Sequence, residues 1–265
     1  MGRRLLAAHA ALVYAFLYAP VLIVVAYAFN GGRQTLNWEG FSTKWFGAAL
    51  SDDSITNALR NSLLIAAGNA FVASLLGTLL ALSLPRMWRA LRIPIDALVT
   101  MTLVTPEIVF GIAALVFFTE IGLTLGLKTV LAAHVVFNTS VVALVVRARF
   151  VGMGHDLEEA SFDLGAGPLS TFRQVTLPRL APAVLAGGLL AFTFSFDDFY
   201  TSFFVSGAGT TTLPLYVFSS LRFGVSPLVN ATAAMVLALT IGAIVLAYAV
   251  LRRSGGRSGG VLPLR

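Results

Sequence analysis

The sequence has no cysteine and few charged residues. Without thiols there can be no disulfide or thiolate metal site, and His9, His134 and His155 are too scattered to indicate a metal cluster. Only 11% of the 265 residues are charged, whereas soluble domains carry about 25%. With 57% hydrophobic residues and a mean hydropathy of +0.86, the chain is expected to be a membrane protein that holds no metal or cofactor itself.

Six apolar segments are long enough to cross a bilayer, which takes about 20 residues in a helix. They predict an all-α membrane protein with six transmembrane helices in a single domain, residues 1–265. The segments are 5–29, 58–84, 93–118, 129–146, 183–205 and 229–251. The first also has a signal-peptide reading, with Ala26-Tyr27-Ala28 as cleavage site. Its apolar stretch is longer than the roughly 7–15 residues of such peptides, so an uncleaved span is expected.

Most of the 18 Lys and Arg residues lie on one side of these segments. The positive-inside rule makes that side cytoplasmic, so both termini and the polar loop 147–182 are expected inside the cell. The net charge of +6 has the same explanation, and no nucleic-acid partner is expected. No internal repeat is strong enough to indicate the inverted repeats of secondary transporters.

The polar loop carries the most specific local pattern in the chain. Residues 156–164 are expected to form a short helix with acidic residues in its first turn, and Gly165 is expected to end it. Pro168 can open a second helix. Pro178 and Pro182 are then expected to break the chain before the fifth span. The loop is thus predicted to be a helix–turn–helix hook with an acidic end, which favours a soluble protein partner over an anionic membrane surface.

The same loop resembles the EAA signature of ABC importer membrane subunits, in which Glu-Ala-Ala, Gly and Ile-x-Leu-Pro recur at fixed spacing. Here Glu159-Ala160-Ser161 is followed after three residues by Gly165, and after nine more by Val175-Thr176-Leu177-Pro178. In that family the loop docks in a groove of a separate ATPase subunit. The resemblance therefore implies a cytoplasmic ABC ATPase dimer as partner, which binds ATP and Mg.

Some of the implied ATPase contacts are residues of the signature itself, and the others are charged or apolar residues next to it. They are Glu158, Glu159, Ala160, Asp163, Gly165, Leu169, Leu177 and Pro178. The chain itself is not expected to hydrolyse ATP. Its nearest approach to a phosphate-binding loop, residues 122–129, has Leu127 where the second glycine must stand.

Ionisable side chains inside predicted spans are candidates for a transport path, because charge within a bilayer is costly. Glu107, Asn138 and Asp197 fall at similar depths in three spans, which suits a cationic solute. Asp197 and Asp198 point about 100° apart on a continuous helix, so only one is expected to line the path while the other pairs with a neighbouring helix. The full candidate set is Glu107, Asn138, Asp197, Asp198, Tyr200 and Thr201. Pro106 is expected to kink or unwind the third span.

Three strings resemble the spermidine/putrescine importer permeases, in particular the second of their two membrane subunits. They are Thr105-Pro106-Glu107-Ile108, Ser195-Phe196-Asp197-Asp198 and residues 224–231. The resemblance implies the type I ABC importer permease fold in the bacterial inner membrane. It also implies a second homologous membrane subunit and an extracytoplasmic polyamine-binding protein as partners.

Three other readings stay open. The same machinery could carry another small organic solute. An ion-coupled secondary carrier could use Glu107 and Asp197 as ion sites, but the polar loop would then have no explanation. An intramembrane enzyme is disfavoured because no Ser/His pair is expected at matched depth, and a nucleophile needs a base within reach.

Overall fold

The computed structural model describes residues 2–33, 37–154, 156–222, 224 and 226–255. Regular structure in these ranges is helical, apart from one isolated bridge between Asn30 and Phe41. In chain order the helices are α1 (Gly2–Ala28), α2 (Lys44–Ser51), α3 (Asp53–Ser83), α4 (Arg89–Val104), α5 (Glu107–Glu120), α6 (Leu127–Val151), α7 (Asp156–Asp163), α8 (Pro168–Thr171), α9 (Leu177–Asp197), α10 (Tyr200–Val205), α11 (Leu213–Leu221) and α12 (Pro227–Gly255). The all-α expectation is confirmed.

The number of spans differs from the expected six. Four helical stretches are long and apolar enough to cross a membrane: 4–28, 53–86, 127–151 and 168–197. The pair α4 and α5 adds a fifth if the two helices count as one bent span. The apolar part of α12, Pro227–Gly242, is shorter than these stretches. By length and composition, the described helices therefore do not confirm a sixth span.

The predicted third span is broken at Pro106, where a kink or local unwinding was expected. α4 ends at Val104, α5 begins at Glu107, and their axes differ by 116°. Pro106 has no N–H to donate and disfavours helical backbone at the residue before it. Thr105 accordingly takes an extended conformation, with φ −64° and ψ 128°. The break places Glu107 at the start of a helix, where its side chain is exposed.

The predicted fifth span begins much earlier than residue 183. Helical structure runs from Pro168 through a π-helical turn at Phe172–Thr176 into α9. The expected break at Pro178 and Pro182 is therefore wrong. In the wide turn the N–H of Leu177 reaches back to the carbonyl of Phe172. Pro178 follows this turn as the second residue of α9.

The same span ends earlier than residue 205. α9 stops at Asp197, Asp198 is extended with φ −63° and ψ 121°, and α10 starts at Tyr200. The side chain of Asp198 accepts a hydrogen bond from the N–H of Ser202 at 3.0 Å. Asp side chains compete in this way with the backbone carbonyls of a helix. The expected 100° separation of two acids on one continuous helix therefore does not apply.

The chain divides into two compact units, residues 1–59 with 213–242 and residues 60–212 with 243–265. In the second unit, α3, α6 and α9 enclose a core that includes Val142, Val146 and Leu180. Gly77 lets two helices approach closely, since a Cβ there would lie 2.6 Å from that of Val142. Small residues at such crossings are typical of membrane helix packing.

In the first unit, the chain after α1 folds around a buried asparagine. The Asn30 side chain accepts from the N–H groups of Gly32 and Glu39, and its backbone carbonyl accepts from the Trp45 indole at 2.9 Å. Trp45 belongs to α2, which is thereby tied to the end of α1.

Candidate functional site

Residues Asp156–Thr176, here called the hook, form the predicted helix and turn. The N–H of Gly165 donates to the Phe162 carbonyl at 2.9 Å, and the N–H of Ala166 donates to the Ser161 carbonyl at 3.0 Å. This is the hydrogen-bond pattern of a Schellman motif, and it needs a left-handed residue at its centre. Gly165 supplies it, with φ +83°. The expectation that Gly165 ends the first helix is confirmed.

Two side-chain hydrogen bonds fold the hook onto itself. The Ser161 and Thr171 hydroxyls are 2.9 Å apart, which joins α7 to α8. The hydroxyl of Thr176, in the π-helical turn, donates to the half-buried carboxylate of Glu158. Glu158 therefore has a partner inside the hook, although it was expected to contact another subunit. This bond joins α7 to the π-helical turn.

The other residues expected to contact an ATPase are exposed. They are Glu159, Ala160, Asp163, Gly165, Leu169, Leu177 and Pro178. Leu169 is 69% exposed, and Leu164, which was not anticipated, is 89% exposed. Apolar side chains left open on a polar segment are typical of a docking surface. Exposed acidic and exposed apolar side chains therefore occur together on the hook.

A cavity of about 130 Å³ lies where α5, α6, α9 and α10 meet. Three carboxylates line it: Glu107 at the start of α5, and Asp197 and Asp198 at the break after α9. Asn138 of α6 and Thr201 of α10 also line it. Five of the six expected path residues are therefore brought together by the fold. Tyr200 is outside the described lining and is 44% exposed, with its ring 5.4 Å from that of Phe199.

Three phenylalanines and a histidine complete the described lining of the cavity. Phe110, Phe137 and Phe194 give it aromatic walls, and the rings of Phe110 and Phe137 lie 6.0 Å apart. An aromatic face attracts a cation within about 6 Å of its centre. Phe110 and Phe137 were not anticipated. Phe137 is next to the predicted Asn138 in the sequence. One aromatic neighbour is too common to identify a site residue from the sequence.

His134 ties the broken segment to α6. Its Nδ1 lies 2.7 Å from the Ser195 hydroxyl of α9, and its Nε2 lies 3.2 Å from the Ser202 hydroxyl of α10. The expectation that no Ser/His pair exists at one level is therefore wrong. The ring is only 3% exposed and holds a serine on each side of the break. His134 and Asn138 are four residues apart on one face of α6, a spacing that could have indicated it.

Asp198 and Asp197 both line the cavity, so the expectation that only one of them would do so is wrong. Asp198 is the more constrained. Besides its bond from the Ser202 N–H, its Oδ2 lies 3.7 Å from His134 Nε2 on the neighbouring helix. Asp197 is more exposed.

Comparison with known proteins gives the following similarities. Residues 73–255 match the family described as "Binding-protein-dependent transport system inner membrane component". The chain is 42% identical over 231 residues to the putrescine transport system permease protein PotI of Escherichia coli (strain K12), covering 84% of this chain and 82% of that protein. It is 35% identical over 262 residues to the spermidine/putrescine transport system permease protein PotC of the same strain, covering 98% and 99%.

Solved structures share the fold at much lower identity. A chain of a bacterial ABC transporter involved in the import of the acidic polysaccharide alginate superimposes with a TM-score of 0.74 at 14% identity, covering 94% of this chain and 95% of that one. A chain of the MetNI methionine ABC transporter in an inward-facing conformation gives 0.62 at 16% identity, covering 76% and 95%. At these identities the likeness establishes the fold alone, which is that of an ABC importer membrane subunit.

Proposed function

Because the chain belongs to the family of inner-membrane components of binding-protein-dependent transport systems, we propose that it is the permease subunit of an ATP-driven importer that brings polyamines, putrescine or spermidine, into the cell. The observation that carries the solute class is the acidic, aromatic cavity between α5 and α9. Relatives that are 42% and 35% identical over 84% and 98% of this chain are named for putrescine and spermidine, which supports the same class.

The chemistry of the cavity favours an organic cation. Three carboxylates face a space of about 130 Å³, and none of the described lining residues is Lys or Arg. Charges act more strongly there than in bulk water, because the surroundings are less polarisable. The phenylalanine walls can pack against methylene groups and attract ammonium groups. Protonated polyamines combine both features in one molecule.

We propose that a partner subunit supplies the energy for transport by hydrolysing ATP. The chain is a transport component rather than an enzyme, and the hook is proposed to dock in a cytoplasmic ATPase dimer that binds ATP and Mg. A second homologous membrane subunit is proposed to complete the path, and an extracytoplasmic binding protein is proposed to deliver the solute. The exposed acidic and apolar residues of the hook support the first of these contacts.

The proposed topology keeps six spans with both termini in the cytoplasm. It counts α4 and α5 as one bent span and α12 as the sixth. The distribution of Lys and Arg supports the orientation. Because the sequence has no cysteine, single cysteines can be introduced without removing native thiols. An impermeant maleimide applied from outside should label a cysteine at Glu120 and spare one at Glu159; the reverse pattern contradicts the topology.

The function is tested by uptake in cells that lack their own polyamine importers. The chain is expressed with its three proposed partners, the ATPase, the second membrane subunit and the binding protein, and uptake of labelled putrescine and spermidine is measured. We expect uptake that needs the ATPase and that unlabelled polyamine suppresses. Uptake without any ATPase would favour the ion-coupled carrier instead. ATP-dependent uptake of another organic solute, without uptake of polyamines, would support the importer assignment and contradict the proposed substrate.

A further inference from the structure

The carboxylate of Asp198 is contacted at both of its oxygens. Oδ1 accepts a hydrogen bond from the N–H of Ser202 at 3.0 Å, and Oδ2 lies 3.7 Å from Nε2 of His134. The Ser202 hydroxyl lies 3.2 Å from the same ring nitrogen. His134 and Ser202 therefore hold each other as well as the carboxylate.

The ring of His134 must carry a hydrogen on the nitrogen that faces this carboxylate. A carboxylate only accepts hydrogen bonds, so a favourable contact with Oδ2 requires an N–H at Nε2. In the neutral ring Nδ1 then accepts from the Ser195 hydroxyl, which is 2.7 Å away. The contact with Oδ2 is longer than a hydrogen bond and is therefore electrostatic, and such a contact is stronger in a buried site than in bulk water. Ser195 on α9 thus fixes the form of the ring that suits Asp198.

From this arrangement we infer that His134 is a positioning residue, which holds the Asp198 carboxylate in the orientation that binds an organic cation in the cavity. The inference rests on the proposed function, because it adds a residue to the proposed cation site. The ring borders the cavity but is only 3% exposed, whereas the side chain of Asp198 is 13% exposed. The effect of His134 on a solute is therefore expected to pass through Asp198.

Holding the carboxylate in place before the solute arrives lowers the cost of binding. A side chain that rotates freely loses that freedom when it binds a ligand, and the loss weakens the affinity. The contacts of His134 with Ser195 and Ser202, one on each side of the break, keep the ring itself in place. Asp198 is thereby ordered in the absence of a solute.

The neighbouring acid gives a matched control. Asp197 lines the same cavity and lies at the same break. Within the described residues, no hydrogen bond or ion pair joins it to the ring of His134. A positioning effect of His134 should therefore depend on the charge of Asp198 and not on the charge of Asp197.

The test is a double-mutant cycle on the purified importer complex in lipid nanodiscs, without the binding protein. Equilibrium binding of 1,4-diaminobutane is measured with and without His134→Leu, in the wild type and in the Asp197→Asn and Asp198→Asn variants. We expect His134→Leu to lower the affinity about fivefold in the wild type and in Asp197→Asn. In Asp198→Asn it should lower the affinity by less than about twofold, because no charge is left to position.

Two amide variants separate the Nε2 contacts of the ring from its Nδ1 contact. Glutamine places its amide nitrogen the same number of bonds from Cβ as Nε2, and asparagine places its own the same number of bonds from Cβ as Nδ1. We expect His134→Gln to bind the diamine within about twofold of the wild type, and His134→Asn to lose about as much affinity as His134→Leu.

The possible outcomes separate this inference from the proposed function. A fall of the same size in all backgrounds overturns the inference, because loss of packing alone would weaken binding whichever acid is present. Equal affinities of His134→Gln and His134→Asn also overturn it. If the His134→Leu complex does not assemble, His134→Asn takes its place in the cycle. Polyamine uptake by the complete system is measured in parallel. Uptake without diamine binding to the wild-type complex overturns only the inference, whereas no polyamine uptake overturns the proposed function and the inference together.

Discussion

The hook and the cavity use similar side chains but are held together over very different distances. In the hook, the Ser161–Thr171 and Glu158–Thr176 contacts join residues 10 and 18 positions apart. In the cavity, His134 reaches Ser195 and Ser202, which are 61 and 68 positions away. The hook is therefore a local module carried on the surface. The cavity exists only when several helices pack correctly.

This difference predicts that hook and cavity variants fail in different ways, and Glu159→Arg should have the largest effect. Glu159 is exposed on α7, so the variant should fold normally. It reverses the charge offered to the proposed ATPase, and like charges brought together across an interface cost several kcal/mol. We expect polyamine uptake to fall more than about tenfold and the ATPase to be lost on purification, at unchanged diamine binding to the membrane subunits.

Glu120→Arg is the matched control, since Glu120 is an exposed acid at the end of α5 outside the hook. It should co-purify with the ATPase as the wild type does. If Glu159→Arg also keeps its ATPase and its uptake, the hook is not the docking surface.

The second prediction concerns the cavity and has the opposite signature. Asp198→Asn keeps an acceptor for the Ser202 N–H but removes a charge from a side chain that is 13% exposed. Asp197→Asn removes a charge from a more exposed side chain, where solvent weakens electrostatic interactions. We expect Asp198→Asn to raise the polyamine concentration for half-maximal uptake about tenfold, and Asp197→Asn to raise it about threefold.

Both variants should retain the ATPase, which is measured on the same preparations. An equal effect of the two substitutions would mean that the contacts of Asp198 do not matter for binding. An unchanged half-maximal concentration in both would remove the acids from the path.

The same difference in range explains what could be predicted from the sequence. The hook helix and its end at Gly165 follow from neighbouring residues, as does the break at Pro106. The π-helical turn before Pro178 was missed. Its hydrogen bond between residues five positions apart depends on how α8 joins α9. The break at Asp198 was also missed, since no proline marks it. His134 was undervalued because its serine partners come from segments far along the chain.

A smaller effect than those of Glu159→Arg and Asp198→Asn gives the sharpest test of the hook as a local module. Gly165 and Gly167 are both exposed, and a Cβ at either would meet nothing within 4 Å. They differ in backbone, since Gly165 has φ +83° and Gly167 has φ −74°. Alanine should therefore cost about 1 kcal/mol at Gly165 through the left-handed conformation and almost nothing at Gly167. We expect ATPase affinity, measured by titrating the ATPase onto purified membrane subunits, to fall about fivefold in Gly165→Ala and to stay unchanged in Gly167→Ala.

Equal affinities in the two variants would mean that the turn at Gly165 does not set the docking geometry. A loss of diamine binding in Gly165→Ala would instead show that hook and cavity are coupled through α9, and the separation drawn between them would fail.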